Sequence, residues 1–304
     1  MANLVVSGII LGSIITLGAV GLTLLYGIVN FGNFAHGDMM TLGAYIALLM
    51  TATIFPALGL VDTPIGPLSF GWVMLVSFLP AMGVTGLAAI AADRLVYRRL
   101  RERRVRPIML AIAALAVAFV MRSVIYILWG ADFHFYSQGL RTTWKLPLGI
   151  TLRPDQVVVL VVAWAMVVGL YTFLQRTKTG KALRALADNP DLARVSGIAT
   201  ERMITLTWFI GGAMAAAAGI LLGIDSQVRP EMGWLMLLPL FAAVILGGIG
   251  NAYGALAGGL ILGVVQQVST AFMSPSYKPA VAFIIMILVL LVRPQGIFGG
   301  SKSS

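Results

Sequence analysis

The chain has 304 residues, 59% hydrophobic and 11% charged, with mean hydropathy +0.96 and a formal net charge of +10. Soluble domains carry roughly a quarter charged residues, so a soluble globular domain is excluded, and the apolar runs are too long for the short alternating segments of a transmembrane barrel. The absence of cysteine excludes disulfides, thiolate metal sites and cysteine nucleophiles.

A membrane-spanning helix needs about 20 apolar residues. Nine segments approach that length: Val5–Ile28, Met39–Phe55, Phe70–Ala92, Pro107–Leu128, Gln156–Leu174, Met203–Gly223, Trp234–Gly248, Ala255–Phe272 and Pro279–Val292. The expected fold is therefore an all-α, polytopic transmembrane bundle of about eight to ten spans, some broken, forming one domain over residues 1–304. No basic residue precedes the first apolar run, so it lacks the charged start of a cleavable leader and reads as a retained span.

Between the first two spans lies Asn30-Phe-Gly-Asn-Phe-Ala-His-Gly-Asp38. Gly32 and Gly37 permit non-helical backbone, and Asn30, Asn33, His36 and Asp38 are polar. Two readings stand. One is a tight turn at the membrane surface, which favours glycine and asparagine. The other is a pathway or gate element, since helix breaks at membrane depth survive only inside protein or beside a water-filled cavity. Asp38 is a plausible cap for a helix beginning at Met39. His36 reads as a hydrogen-bonded structural residue, and as ionisable groups beside a span both are also functional candidates.

Charge sets the orientation. Seven arginines, Arg94, Arg98, Arg99, Arg101, Arg103, Arg104 and Arg106, follow the third span. Arg176, Lys178, Lys181, Arg184, Arg194 and Arg202 follow the fifth. Two spans separate the clusters, so they share a side, and the positive-inside rule makes it cytoplasmic. Clustering in two loops beside spans argues against a nucleic-acid partner; the arginine cluster reads as a topology anchor, with anionic lipid or a cytoplasmic protein as alternatives. Trp129–Asp155, with Asp132, Arg141, Lys145, Arg153 and Asp155, faces out. The C-terminal tail, with Arg293 and Lys302, faces the cytoplasm. Counting back puts the N-terminus outside if the second segment spans fully, and inside if it is re-entrant.

The polar segment Gln175–Arg202 reads as two short helices at the membrane surface. Leu183 and Leu186 share one face of the first, Lys181–Asp188. Asn189-Pro190-Asp191 marks a fresh start, with Asn as cap and Pro in the first position. Leu192, Ala193 and Val195 form the second helix's apolar face, Gly197 fits the left-handed position past its end, and Thr200 is placed to cap the next span. Ala185, Ala187, Leu192, Ala193 and Val195 together offer an apolar face to a cytoplasmic protein. The alternative is a connecting interfacial helix.

Small residues fill Gly211–Gly219 and Gly254–Gly263, which read as close helix packing. Pro239 interrupts the seventh span as a kink or a hinge. Leu246-Gly-Gly-Ile-Gly-Asn-Ala-Tyr-Gly254 is a second break, with Gly247, Gly248, Gly250 and Asn251 as further pathway or gate candidates, and its likeness to the first hints at an internal repeat. Gln266 and Gln267 face a neighbouring helix or the pathway. Asp225, Arg229 and Glu231 lie in an outer loop, as ordinary loop charge or a docking surface.

The pattern Gly180-x-Ala182-x-Arg184-Ala185, Asp188-Asn189, Ala193 and Gly197-Ile198 resembles the cytoplasmic coupling loop of ABC importer permeases. It is most similar to the branched-chain amino-acid permease family, H-type subunit. Tyr26-Gly-Ile-Val-Asn30 with Asn33-Phe-Ala-His-Gly-Asp38 and Leu42-Gly-Ala-Tyr45, Gly247-Gly-Ile-Gly-Asn251 with Gly254, and Arg293-Pro-Gln-Gly-Ile-Phe298 resemble that family's other signatures, in order over nearly the whole chain. The resemblance implies a type II importer permease in the bacterial inner membrane. It implies a second homologous permease, two ATP-binding cassette subunits docking on a coupling loop within 175–202, and an extracytoplasmic substrate-binding protein. The docking residues would be Lys181, Arg184, Ala185, Asp188, Asn189, Pro190, Ala193 and Gly197. ATP and Mg would be used by those partners, since the chain has no Gly-x-x-x-x-Gly-Lys-[Ser/Thr] loop, and this chain would be a transport subunit with no cofactor and no catalytic residue of its own. The implied cargo is branched-chain or other neutral amino acids, with urea or short amides as the alternative. A self-sufficient secondary carrier or channel is the competing class, and an intramembrane enzyme the weakest, with only His36 and His134 as histidines on opposite sides.

Overall fold

The computed structural model describes residues 1–136, 142–146, 149–293 and 295–298. Arg141, Pro294 and Lys302, named above, lie outside them. Among the described residues eight helices are long and apolar enough to cross a membrane, and a ninth, Met232–Gly247, is shorter. Each predicted apolar segment forms one of these nine. In chain order they are α1 (Ala2–Val29), α2 (His36–Ala57), α3 (Trp72–Glu102) and α4 (Pro107–Trp129); α5 (Pro154–Arg176); two short helices, α6 (Lys178–Asp188) and α7 (Pro190–Val195); then α8 (Thr200–Asp225), α9 (Met232–Gly247), α10 (Ala252–Ser269) and α11 (Lys278–Val292). A small antiparallel hairpin, β1 (Trp144–Leu146) with β2 (Ile150–Leu152), adds strand to an otherwise helical chain.

Local chemistry sets the helix starts. Pro107 and Pro154 occupy first-turn positions after extended Arg106 and Arg153, where a missing N–H costs nothing. Gln156 Oε1 also accepts the Arg153 N–H at 3.2 Å. Two π-helical turns interrupt the spans, Met50–Ile54 in α2 and Asp93–Tyr97 in α3.

Helix α8 is the spine: 89% of its apolar window is buried, against 22% for α4 and 6% for α11, which lie at the periphery. Its small residues do what the sequence suggests. A side chain at Gly219 would collide with the Met40 backbone of α2, and one at Gly43 with Ala216. Helices α1 and α10 meet the same way, Gly12 against Leu260 and Gly263 against Gly12. Backbones approach because nothing stands between them, which is how helices gain contact where the solvent is lipid. Pro239 lies inside α9, which continues through it.

The two basic clusters share one end of the bundle, since Arg98 of α3 lies 3.6 Å from Glu201 at the start of α8. The N-terminus is at the other end. Asn3 donates to the Gly149 carbonyl at 3.0 Å and accepts from the Thr151 N–H at 2.8 Å. Among the described residues the nine helices therefore alternate in direction between a basic end and a hairpin end, and the second segment runs as a helix toward the hairpin end.

Candidate functional site

At the basic end, α6 and α7 form an elbow between α5 and α8. The first helix begins at Lys178 rather than Lys181, because the Thr177 hydroxyl accepts the Gly180 N–H at 2.9 Å and caps it. Gly180 is buried inside that first turn. A side chain there would strike the backbone of Phe173 and Leu174, so the glycine lets α6 fold tightly under the end of α5. Leu183 and Leu186 point inward as their spacing predicts. Asn189 Oδ1 accepts from the Asp191 and Leu192 N–H groups at 3.1 and 3.0 Å, Pro190 opens α7, and Gly197 ends it at φ +82°.

The elbow's apolar face differs from the expected one. Ala193 is only 3% exposed and packs inward, whereas Leu192 and Val195 are 63% and 87% exposed. The projecting knob is thus Leu192 and Val195, rimmed by exposed Lys181, Arg184, Asp188, Asn189, Pro190 and Gly197, with Ala185 half-buried. The cap of α8 falls at Ala199, and Thr200, its first residue, makes no capping bond.

The first break is not a tight surface turn. Helix α1 ends with Asn30 in the left-handed region, φ 55°. Phe31 then packs against Tyr97 and Trp208, ring centroids 5.3 and 6.3 Å away. The chain climbs back beside α1, and α2 starts with His36, whose Nε2 donates to the Gly18 carbonyl at 3.0 Å. Gly18 precedes Val29 by eleven residues, so α2 begins about 16 Å back along α1 at 1.5 Å per residue. Gly32 lies against the Phe241 ring, Gly37 against the Gly233 backbone, and buried Asn33 accepts the Ala35 N–H through Oδ1 at 3.1 Å. The Asn33 Nδ2 and His36 Nδ1 atoms are buried with no hydrogen-bond partner among the described residues.

Asp38 is not a cap. It lies in the first turn of α2, fully buried, and accepts from Arg122 of α4 twice, Nε at 2.8 Å and Nη2 at 2.9 Å. The guanidinium, on a side chain 13% exposed, lies 4.6 Å from the Trp234 ring centroid of α9 and 5.6 Å from that of Phe119. Thr41, one turn on, accepts the Gly233 N–H at 3.0 Å. The start of α2 is thereby fastened to α1, α4 and α9. Sequence reasoning missed Arg122, although a lone arginine in one span and a lone aspartate opening another are complementary charges in a medium that tolerates neither alone.

The second break runs from Gly248, φ 101°, through Gly250, φ 85°, to Asn251. Asn251 caps α10 by accepting from the Tyr253 and Gly254 N–H groups at 3.0 and 3.2 Å. Its Nδ2 donates to the Phe298 carbonyl at 3.0 Å, and the Ile297 N–H donates to Leu246, so the tail seals the end of α9. Gly247 packs against Gly254. The Gly250 N–H donates to Thr23 of α1 at 3.1 Å. A cavity of about 660 Å³ opens here between α1, α5, α6 and α10, lined among others by Thr23, Gly27, Tyr171, Arg184, Asp188, Gly250 and Asn251. The structure therefore joins the elbow to the second break on one cavity, and keeps His36 and Asp38 away from it.

Other candidates are engaged internally. Asp225 pairs with Arg153 at 2.7 Å and accepts from Gln156. Glu231 accepts from the Tyr126 hydroxyl at 2.6 Å. Gln266 and Gln267 both face α11, bonding the Lys278 carbonyl and ammonium. Among the described residues no three His, Asp or Glu side chains converge as a metal site requires.

A bundle of nine alternating helices, with broken entries into α2 and α10 and a capped elbow at its basic end, has the architecture of a membrane transport permease. Comparison with known proteins places it more narrowly. Residues 4–290 match the family described as branched-chain amino acid transport system, permease component, and the chain belongs to that family. It is 32% identical to the high-affinity branched-chain amino acid transport system permease protein LivH of Escherichia coli K12, covering 96% of this chain and 94% of that protein. It is 33% identical to BraD, the corresponding permease protein of Pseudomonas aeruginosa, covering 97% and 94%. Among solved structures, PsaBC from Streptococcus pneumoniae in complex with Fab aligns over 97% of this chain and 92% of that one, at 15% identity and a TM-score of 0.49.

Proposed function

We propose that this chain is the membrane-spanning subunit of an ATP-driven importer for branched-chain or other neutral amino acids in a bacterial inner membrane. The observation that carries the mechanism is the elbow, a capped projection on which Leu192 and Val195 stand exposed. Two ATP-binding subunits dock there, with the basic end cytoplasmic by the positive-inside rule. The N-terminus then lies outside and the tail inside. A second homologous permease completes the membrane portion, and an extracytoplasmic binding protein delivers the cargo at the hairpin end.

ATP binding and hydrolysis, with Mg, belong to the partners. Their movement displaces the elbow, and the helices alternate between outward-open and inward-open arrangements. The broken entries at Asn30–His36 and Gly248–Asn251 supply backbone and amide groups suited to a zwitterion, which needs hydrogen bonds more than a net charge. Thr23 and Asn251 bring such groups to the cavity at the basic end.

Proteoliposomes containing the chain with its ATPase, permease and binding-protein partners test this. Uptake of radiolabelled leucine is expected only with internal ATP and the full set. Uptake by this chain alone, abolished by collapsing an ion gradient, would make it a secondary carrier instead. Uptake of urea or short amides in place of amino acids would overturn the cargo and leave the ATP-driven mechanism standing.

A further inference from the structure

Helices α3 and α8 cross closely, with Gly86 against Phe209 and Gly212 against Ala89. On the basic side of that crossing both helices line one surface recess, a crevice of about 460 Å³. Its lining is apolar nearer the crossing, at Ile90, Leu206 and Phe209, and basic nearer the end of the bundle, at Arg94 and Arg202. Arg98 bridges the basic part, lying 2.9 Å from Glu102 and 3.6 Å from Glu201, so the carboxylate that lines the crevice is already shared with a cation. Arg94 and Arg202, by contrast, are exposed and have no side-chain partner among the described residues. The π-helical turn Asp93–Tyr97 lies at this level of α3, and such turns shift the helix phase and are frequent at functional sites. Leu87 and Leu95, 60% and 62% exposed, continue the apolar surface onto the outer face of α3.

We propose that this crevice binds an anionic phospholipid, its phosphate held by Arg94 and Arg202 and an acyl chain lying against Ile90, Leu206 and Phe209. Charge complementarity and position argue for this occupant. A basic part beside an apolar one, at the end of a membrane bundle, matches a headgroup next to its tail, and basic pockets between spans are where such headgroups settle. A lipid wedged there braces the start of α8, which follows directly from the elbow.

The test uses the purified full chain in nanodiscs and detergent. Lipid retention is read by native mass spectrometry, and lipid titrations by the thermal unfolding midpoint. Phosphatidylglycerol is expected to be retained and to stabilise the protein, and phosphatidylcholine is not. Arg94→Gln with Arg202→Gln should weaken phosphatidylglycerol binding about 30-fold, roughly fivefold for each cation lost. Leu206→Trp, which fills the slot without changing charge, should also lose the lipid. Arg103→Gln with Arg104→Gln, elsewhere in the same basic cluster, should leave it bound. Equal loss in that control pair would reduce the effect to diffuse surface charge and overturn the site. So would equal retention of phosphatidylcholine, unchanged binding in Leu206→Trp, or competition by inorganic phosphate at the lipid's own concentration, which would mark a soluble-anion site.

Discussion

Replacing Arg122 with methionine should cripple this fold more than any surface charge change. Arg122→Met keeps the length and apolar stem of the side chain and removes both N–H donors to Asp38. The carboxylate it leaves is fully buried and has no other hydrogen-bond partner among the described residues. Breaking a buried pair this way costs about 3–5 kcal/mol, mostly the penalty of an uncompensated charge. The arginine side chain is 13% exposed, which favours the lower figure, while losing the contact with Trp234 adds about 0.5–1 kcal/mol. The expected total is about 3–4 kcal/mol. The double variant Asp38→Leu with Arg122→Met removes the stranded charge and should recover most of that loss, since an apolar pair of similar volume is often neutral or better. Arg122→Lys should fall between, keeping the charge and losing the two-pronged geometry and ring contact. Thermal unfolding of the purified protein in detergent, followed by tryptophan fluorescence, ranks the three. If Arg122→Met and the double variant melt together, or if neither departs from the parent by about 1 kcal/mol, the pair does not hold α2 in place.

Val195→Asp should leave stability within about 0.5 kcal/mol, as exposed substitutions do, yet abolish ATPase co-purification and uptake; persistence of both would remove the docking assignment from the elbow. Ala193→Asp is the less clean perturbation, because that site is buried, and it should destabilise the elbow itself, seen as faster hydrogen exchange across 178–198. Asn189→Ala removes the acceptor for two N–H groups and should cost about 1 kcal/mol locally, raising exchange in 190–195 while α8 stays protected; unchanged exchange there would argue against the cap. Gly219→Ala must push α8 off the Met40 backbone, an overpacking worth about 1–3 kcal/mol, and a variant as heat-stable as the parent would show that the helices are not so close.

What could be read beforehand followed from properties that act locally. Span number came from apolar length, and the sharing of one end by both basic clusters came from counting between them. The cap at Asn189, the first-turn Pro190 and the left-handed Gly197 are governed by their own few residues, so spacing sufficed. The failures lie where a distant element decides. Asp38 looked like a cap because its partner stands 84 residues away. Ala193 looked like part of the outward face because a six-residue helix is too short for periodicity to say which side meets the bundle. The climb from Asn30 to His36 stayed open between two readings because glycine and asparagine suit both a turn and a break, and packing against α1 and α9 separates them.

The mounting of the elbow bears on how a push there would travel. It leads through residues 196–199 into α8, which meets Arg98 at Glu201, and then Tyr97 and Phe31 at Trp208. Trp208 and Tyr97 stack at 4.9 Å with an 11° interplanar angle, and Phe31 is the first residue past the end cap of α1. Through this stack α8 touches Phe31, in the segment that enters the break before α2. The rings there pack well, yet the Tyr97 hydroxyl and the Trp208 indole N–H are buried without partners among the described residues. An unmade buried hydrogen bond costs about 1–3 kcal/mol, so this cluster is a place where a second packing has something to gain. A fully apolar cluster would offer no such gain, and a fully bonded one would resist moving. The cluster joins α8, about two turns past its start, to the residue that opens the climb from Asn30 to His36.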